Sequence, residues 1–194
     1  MKQYKQVNAL RVISGVSRGR KLKAVPGSHT RPTTDKVKEA IFSRIGPYFS
    51  GGIVLDLFAG TGALGIEAIS RGMDRGVFID INPKSIEVIK ENINAVSQTN
   101  QAEIYRNDAK RALKVCAKRE LKFDLVFLDP PYKLEVTEEI LQHMDSLSLF
   151  EKEAIVVVEH DAVHTYNENI GKLQSARRVV YGDTAVTFYD YVSE

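Results

Sequence analysis

A chain of 194 residues, 43% apolar and 27% charged, has the side chains for one main domain with a real core and is no disordered segment. Its single cysteine, Cys116, excludes an intramolecular disulfide. No apolar run approaches a membrane span and the opening MKQYKQVNAL lacks an apolar signal core, so a cytoplasmic protein is expected. The net charge of +2 conceals an uneven spread: residues 1–44 hold eleven Lys and Arg against only Asp35 and Glu39, a surplus of +9, and the remainder carries −7.

The first predicted element, ALRVISGVSRGRKLKAV, reads as two short strands around a turn near Ser17–Gly19. Leu10, Val12, Leu22 and Val25 alternate with polar or basic residues, as in a half-exposed hairpin. Such a basic hairpin on a mildly acidic body fits a polyanionic partner, nucleic acid above all; a solvated basic tail is the alternative. After the connector PGSHTRP, Thr33 or Thr34 can cap a helix running to about Phe49, with Val37, Ala40, Ile41 and Ile45 on one face.

From there strands and helices alternate. GIVLDLF leads through a glycine turn to the helix GALGIEAISRG. GVFID leads to a helix opened by Pro83, and AEIYRND to one through Leu113 and Cys116. FDLVFLD precedes a helix near 135–147, AIVVVEH is a fifth strand, and ARRVVYGDTAVTFYDYV folds back around Gly182–Asp183 as a hairpin. This pattern predicts an α/β fold: a mostly parallel, seven-stranded sheet closed by a C-terminal antiparallel hairpin, with a small N-terminal β-hairpin extension.

In such a sheet ligands bind beyond the carboxyl ends of the strands, where strand order reverses. Each of the first four strands ends at or near an acid: Asp56, Asp80, Asp108 and Asp129. The first loop, DLFAGTGALG, contains Gly60-x-Gly62-x-x-Gly65, with Asp80 about twenty residues on, where a ribose-binding acid belongs. A nucleotide-dependent oxidoreductase is therefore one reading. Against it, Asp56-Leu57-Phe58-Ala59 intervenes before the glycines, and an acid there repels a pyrophosphate but suits an ammonium-bearing ligand. S-adenosylmethionine is such a ligand. Asp108 fits either the adenine amino group of that ligand, with the Ala109 N–H near a ring nitrogen, or the N-cap of the next helix.

The fourth strand runs into Asp129-Pro130-Pro131-Tyr132. The two prolines fix the backbone and remove two N–H donors, leaving the Asp129 carboxylate and the Pro130 carbonyl as a rigid pair of acceptors. Such an edge matches an exocyclic amine, whose two hydrogens it can hold and whose released proton it can take. Tyr132 offers a face on which a flipped-out base can stack.

DPPY after the fourth strand, with DLFAGTGALGIEAISRG after the first, resembles the class I S-adenosylmethionine-dependent methyltransferases that modify exocyclic amines. LRVISGVSRGRKL and RPTTDKVKEAIF, in that order, are similar to the RsmD family of bacterial 16S rRNA (guanine-N2)-methyltransferases. The resemblance spans nearly the whole chain. It implies a Rossmann-like domain over 29–194 preceded by an RNA-contacting extension over 1–28. Asp129, Pro130, Pro131 and Tyr132 would form the catalytic loop. Asp56, Phe58, Ala59, Gly60, Gly62, Asp80, Ile81, Asp108, Ala109 and Thr33 would border S-adenosylmethionine, released as S-adenosylhomocysteine. Arg11, Arg18, Arg20, Lys21 and Arg31 would meet RNA. The implied partner is 16S rRNA within the small subunit or an assembly intermediate, approached by a monomer, with no metal and no membrane. The DPPY tetrapeptide alone also fits methylation of DNA adenine or of a protein glutamine amide, and an RNA-binding protein without catalysis is a further alternative.

Other features read as structure. His160 and His164 are spaced i, i+4 but lack a completing Glu or Cys, so no metal site is expected. Cys116 and the aromatic residues Tyr181, Phe188, Tyr189 and Tyr191 read as packing. Arg177–Arg178 fit either RNA contact or a solvated strand end.

Overall fold

A computed structural model describes residues 10–27, 34–130 and 134–193. In chain order the elements are α1 (Asp35–Ile45), β1 (Ile53–Leu57), α2 (Ala63–Ser70), β2 (Arg75–Asp80), α3 (Pro83–Ala95), β3 (Ala102–Arg106), α4 (Ala109–Lys118), β4 (Phe123–Leu128), α5 (Leu134–Ser146), β5 (Phe150–Asp161), β6 (Asn169–Ile170), β7 (Leu173–Tyr181) and β8 (Thr184–Tyr191). They build one sheet in the order β3-β2-β1-β4-β5-β8-β7-β6. The first five strands pair in parallel and the last three join antiparallel. The order reverses between β1 and β4, and sheets of this kind bind ligands beyond the carboxyl ends of the strands at such a switch.

The strands are apolar on both faces because both are covered. Val54, Phe78, Leu125, Phe127 and Val157 pack with α1, α2 and α3 on one side. Leu55, Leu57, Val77, Ile79, Val126 and Leu128 pack with α4 and α5 on the other. Side-chain alternation along β1 puts Asp56 on the α2 side, at the strand's carboxyl end.

Three expectations need correction. The first helix stops at Ile45 rather than near Phe49, because Gly46 caps it and Pro47 disfavours helical backbone before itself. The sheet has eight strands, the added β6 being two residues long and too short to carry a period. The N-terminal hairpin is not a pair of regular strands but a single antiparallel bridge, Arg11 to Lys21, flanked by Val12 N–H to Arg20 O (2.9 Å) and Leu22 N–H to Leu10 O (2.8 Å). Lys38, one of the eleven basic residues counted in 1–44, is fully buried.

That burial explains how so short a hairpin holds its place. Glu67 of α2, itself fully buried, accepts the N–H groups of Ile13 (2.8 Å) and Ser14 (2.9 Å), binds Arg71 Nε (2.8 Å), and pairs with Lys38 Nζ (3.3 Å). Lys38 in turn donates to the Arg11 carbonyl. Burial pushes the Lys38 ammonium down from its ordinary range, and Glu67 opposes that shift. Nearby, Val16 N–H reaches Ser70 O (2.8 Å) and Ser17 N–H reaches Ser70 Oγ (2.9 Å). Gly15 fits because it has no side chain: a Cβ there would lie 1.7 Å from the Ser70 carbonyl oxygen, at a φ of +82°. Thus the hairpin is docked by polar groups of α2 rather than by a ladder of its own.

Candidate active site

The chain leaves β1 in a tight turn. Phe58 adopts the left-handed region (φ 71°), and the N–H groups of Phe58 (3.0 Å) and Ala59 (2.9 Å) both donate to Ile79 O of β2. A non-glycine residue held there marks a turn that the surrounding bonds impose. The Gly60 N–H donates to Asp80 Oδ2 (2.9 Å), and Asp80 Oδ1 accepts from Asn82 N–H (2.8 Å). Asp80 therefore ties the glycine loop to the end of β2 and keeps a further lone pair on each oxygen. Gly62 caps α2 in the left-handed region. Gly65 lets α2 lie close on β2, since a Cβ there would come within 2.4 Å of Phe78 Cε1.

That closeness also brings the Gly65 N–H to Asp56 Oδ2 at 3.0 Å. Asp56 is buried, and its carboxyl is pushed up to about 7, first by burial, against the Gly65 hydrogen bond, and then by the charges of Asp129 and Asp80. No cation among the described residues pairs with it. Asp129, at the end of β4, keeps open surface at the rim, yet the protein packed around it pushes its carboxyl up to about 6. Pro130 follows it, half-buried.

Beside Asp56 a cleft is lined by Leu57, Phe58, Ile79, Asp80, Ile81, Asn107, Asp108 and Ala109. Five of the residues expected at a cofactor, Phe58, Asp80, Ile81, Asp108 and Ala109, are thus brought together. Asp108 does cap α4, Oδ1 accepting from Arg111 N–H (3.1 Å), a bond that uses only one of its two carboxylate oxygens. Ile81 is 61% exposed at the cleft, an apolar surface that a flat ring can cover. Ala59, Gly60 and Gly62 form the turn that leads from Phe58 at this cleft into α2.

Of the expected nucleic-acid contacts, Arg18, Arg20 and Lys21 are exposed on the hairpin and make no ion pair with the described residues. Arg11 differs: its Nε binds Asp35 Oδ2 at 2.9 Å. Thr33, Arg31, Pro131 and Tyr132 lie outside the described residues. Thr34 is the N-cap of α1, accepting from Val37 N–H. His160 has both ring nitrogens engaged, by the Asp161 carbonyl and Thr187 Oγ1. Cys116 is buried in the core under α4, and Tyr189 and Phe188 are core as well.

Sequence reasoning missed the polar residues that join regions. Glu67 is one. Asn92 is another: Oδ1 accepts from Lys23 N–H (2.7 Å) and Nδ2 donates to Thr61 O (2.9 Å), so α3 links the N-terminal segment to the glycine loop. A polar residue on the apolar face of a predicted helix was the available signal.

The family model described as Conserved hypothetical protein 95 matches residues 10–190. The chain belongs to that family. It is the RsmD family that its motifs resemble: a Haemophilus influenzae protein named ribosomal RNA small subunit methyltransferase D is 33% identical over 163 residues, 82% of this chain and 84% of that protein. YlbH of Bacillus subtilis, provisionally named an rRNA methyltransferase, is 50% identical over 180 residues, 93% of this chain and 98% of its own length. Among solved structures, an Escherichia coli protein provisionally called methyltransferase yhhF superposes with a TM-score of 0.81 at 30% identity, over 96% of this chain and 99% of that one. The mostly parallel α/β sheet with its C-terminal antiparallel hairpin, expected from the alternating elements, is therefore the fold of this chain, and the solved relative superposes on it.

Proposed function

We propose that the crevice at the carboxyl ends of β1, β2 and β4 is the active site of an rRNA methyltransferase, which transfers a methyl group from S-adenosylmethionine to the exocyclic N2 amine of a guanine in 16S rRNA. The observation that carries this reading is the set of carboxylates at the crevice. Asp56 is buried beside Asp80 and Asp129 with no cation to pair it among the described residues. Such a site favours a ligand that brings positive charge and disfavours a pyrophosphate, which argues against the oxidoreductase reading. The names of the relatives, rRNA methyltransferases of the same length and family, support the reaction class and the RNA.

The residues present fit S-adenosylmethionine. Asp56 would answer its positive charge, the remaining lone pairs of Asp80 would accept from its ribose hydroxyls, and Asp108 and Ala109 would hold its adenine, with Ile81 and Phe58 lining the same cleft. When bound, the cofactor supplies an electrophilic methyl group and leaves as S-adenosylhomocysteine. Asp129 and the Pro130 carbonyl accept the two hydrogens of the guanine amine and so orient its nitrogen. Pro131 has no N–H to compete for that carbonyl, and Tyr132 gives the extruded base a ring to stack on. The amine loses a proton as the new C–N bond forms, and the Asp129 carboxylate is placed to take it. Residues 1–28 serve as the RNA-contacting extension through Arg11, Arg18, Arg20, Lys21 and, beyond the extension, Arg31; 29–194 carry the chemistry. The reading includes a cytoplasmic monomer acting on the small subunit or an assembly intermediate.

The decisive experiment is transfer of a labelled methyl group to 16S rRNA, offered naked and in small-subunit particles, with mapping of the modified base. Label at guanine N2 is expected. Label in DNA or protein instead, or calorimetric binding of NAD without binding of S-adenosylhomocysteine, would overturn the proposal.

A further inference from the structure

The two neighbouring arginines of β7 part company in the structure. Arg178 turns inward at the strand's edge and donates through Nη2 to the carbonyls of Ala162 (2.6 Å) and His164 (3.2 Å), so it is a brace for the loop after β5. Arg177 points to the opposite face, where it lines a groove of about 300 Å³ with Ala40, Ser43 and Arg44 of α1 and with Val179, Tyr181 and Phe188 of the sheet.

A bulge creates this arrangement. Ser175 pairs with Tyr189, but the next registered pair is Arg177 with Phe188, so Ala176 is the extra residue. Leu173, below the bulge, packs on the α4–α5 side of the sheet, whereas Val179 and Tyr181, above it, pack on the α1 side. The extra residue therefore switches the strand's facing and delivers Arg177 to the groove that Arg44 also lines. Both arginines are exposed, neither makes an ion pair with the described residues, and the groove lining contains no acid. On α1, Lys36 stands one helical turn before Ala40 and Glu39 one turn before Ser43, so the positive charge of the groove itself comes from Arg44 and Arg177. The groove also points toward the crevice. Tyr181 pairs with Thr184, and Thr184 with Asp161 at the carboxyl end of β5, so Tyr181 lies at the level of the active site.

We propose that this groove is a second rRNA contact, in which Arg44 and Arg177 hold a backbone phosphate of the strand whose guanine occupies the crevice. The assignment rests on the function proposed above. Two guanidiniums with no ion-pair partner among the described residues, lining one groove with a hydroxyl, Ser43, and an aromatic wall, Tyr181, suit a phosphodiester chain. The groove lies on the flank away from α4 and α5, so together with the hairpin it gives the polyanion two separated holds on either side of α1.

The test is the double variant Arg44→Glu/Arg177→Glu, measured for methyl transfer to 16S rRNA and for salt dependence of RNA binding. A control, Lys110→Glu/Lys114→Glu, makes the same change of net charge on α4, across the sheet. The groove variant should raise KM for RNA about tenfold and flatten the salt slope by between about one and two, with wild-type kcat and S-adenosylhomocysteine affinity. Thermal unfolding should be unchanged in the groove variant, whose two side chains are exposed, and shift by no more than a few degrees in the control, where Lys110 gives up its exposed pair with Glu139. Wild-type KM and slope in the groove variant, or an equal loss in the control, would overturn the groove assignment while wild-type methylation of rRNA still stood. Failure of the unmutated protein to bind or methylate rRNA would remove the function and the groove together.

Discussion

Two carboxylates are buried against α2, and they are treated in opposite ways. Glu67 is surrounded by what a carboxylate needs: two backbone N–H groups, the Arg71 guanidinium and the Lys38 ammonium. Asp56, four residues before the glycine loop opens, receives one N–H and faces two more acids. A buried charge that is fully paired holds structure together; one left wanting a cation inside a crevice is poised to receive a ligand. The difference separates the docked hairpin from the candidate active site although one short helix serves both.

The largest effect expected from this contrast is at the rim. Asp129→Ala should lower kcat by about 10²- to 10⁴-fold, the range of a lost acid–base group, and leave S-adenosylhomocysteine binding intact. Asp129 must be ionised to accept a proton, and burial raises its carboxyl to about 6. The wild-type rate should therefore climb with pH through about 6 and level off above it, and the residual rate of the variant should lack that limb. A variant with full turnover, or an unchanged acid limb, would place Asp129 outside the chemistry.

At the paired carboxylate the loss should appear in stability. Lys38→Met leaves Glu67 buried with one cation fewer, and breaking a buried pair in this way costs about 3–5 kcal/mol. For a chain of this size that lowers Tm by roughly 10 °C. Glu67→Gln should fall in the same direction, since it leaves Lys38 uncompensated. A Tm within a degree or two of wild type would show that the hairpin does not depend on this network.

The unpaired carboxylate should behave in the reverse sense. Asp56 in the folded protein holds its proton up to about 7, against an ordinary 3.8, so between those values the native state binds a proton that the unfolded chain has released. Stability of the ligand-free protein therefore falls as pH rises through that window, by at most about 4 kcal/mol. Asp56→Asn keeps an oxygen for the Gly65 N–H and removes the charge. It should be more stable than wild type at pH 8 and similar at pH 4, yet bind S-adenosylmethionine more weakly. Denaturant unfolding at the two pH values tests the first expectation and calorimetry the second. An Asn variant destabilised at pH 8 would put Asp56 in the same class as Glu67.

How much of this was legible follows from what each residue's signal depends on. The parallel sheet was readable because its strands are apolar on both faces and its helices carry a 3.6-residue stripe. The acids of the crevice were readable because strand ends are marked locally, by Gly60 and Gly62 after β1 and by the prolines after β4. Glu67 and Lys38 were not: each looks like an ordinary helix charge until tertiary packing brings α1, α2 and the hairpin together. Nor was the bulge at Ala176, since Arg177 and Arg178 are adjacent and the strand period alone cannot say which of them faces α1. The end of α1 was overshot because its apolar pattern continues past Ile45, whereas Pro47 stops the backbone.

The smallest effect concerns Arg11, the one hairpin arginine with an acid partner among the described residues. Its contact with Asp35 is exposed, the two side chains retaining 56% and 21% of their surface, and such pairs contribute less than about 1 kcal/mol. Arg11→Ala should shift Tm by no more than a few degrees, far less than Lys38→Met, although both side chains bridge the hairpin and α1. The comparison is sharp because the Lys38 ammonium reaches Glu67 from the same helix turn that carries Asp35. Equal losses from the two variants would mean that the surface pair, not the buried one, anchors the hairpin. A small loss in Tm with weaker RNA binding would instead assign Arg11 to the hairpin's charged surface, beside Arg18, Arg20 and Lys21, with Asp35 moderating its charge until RNA arrives.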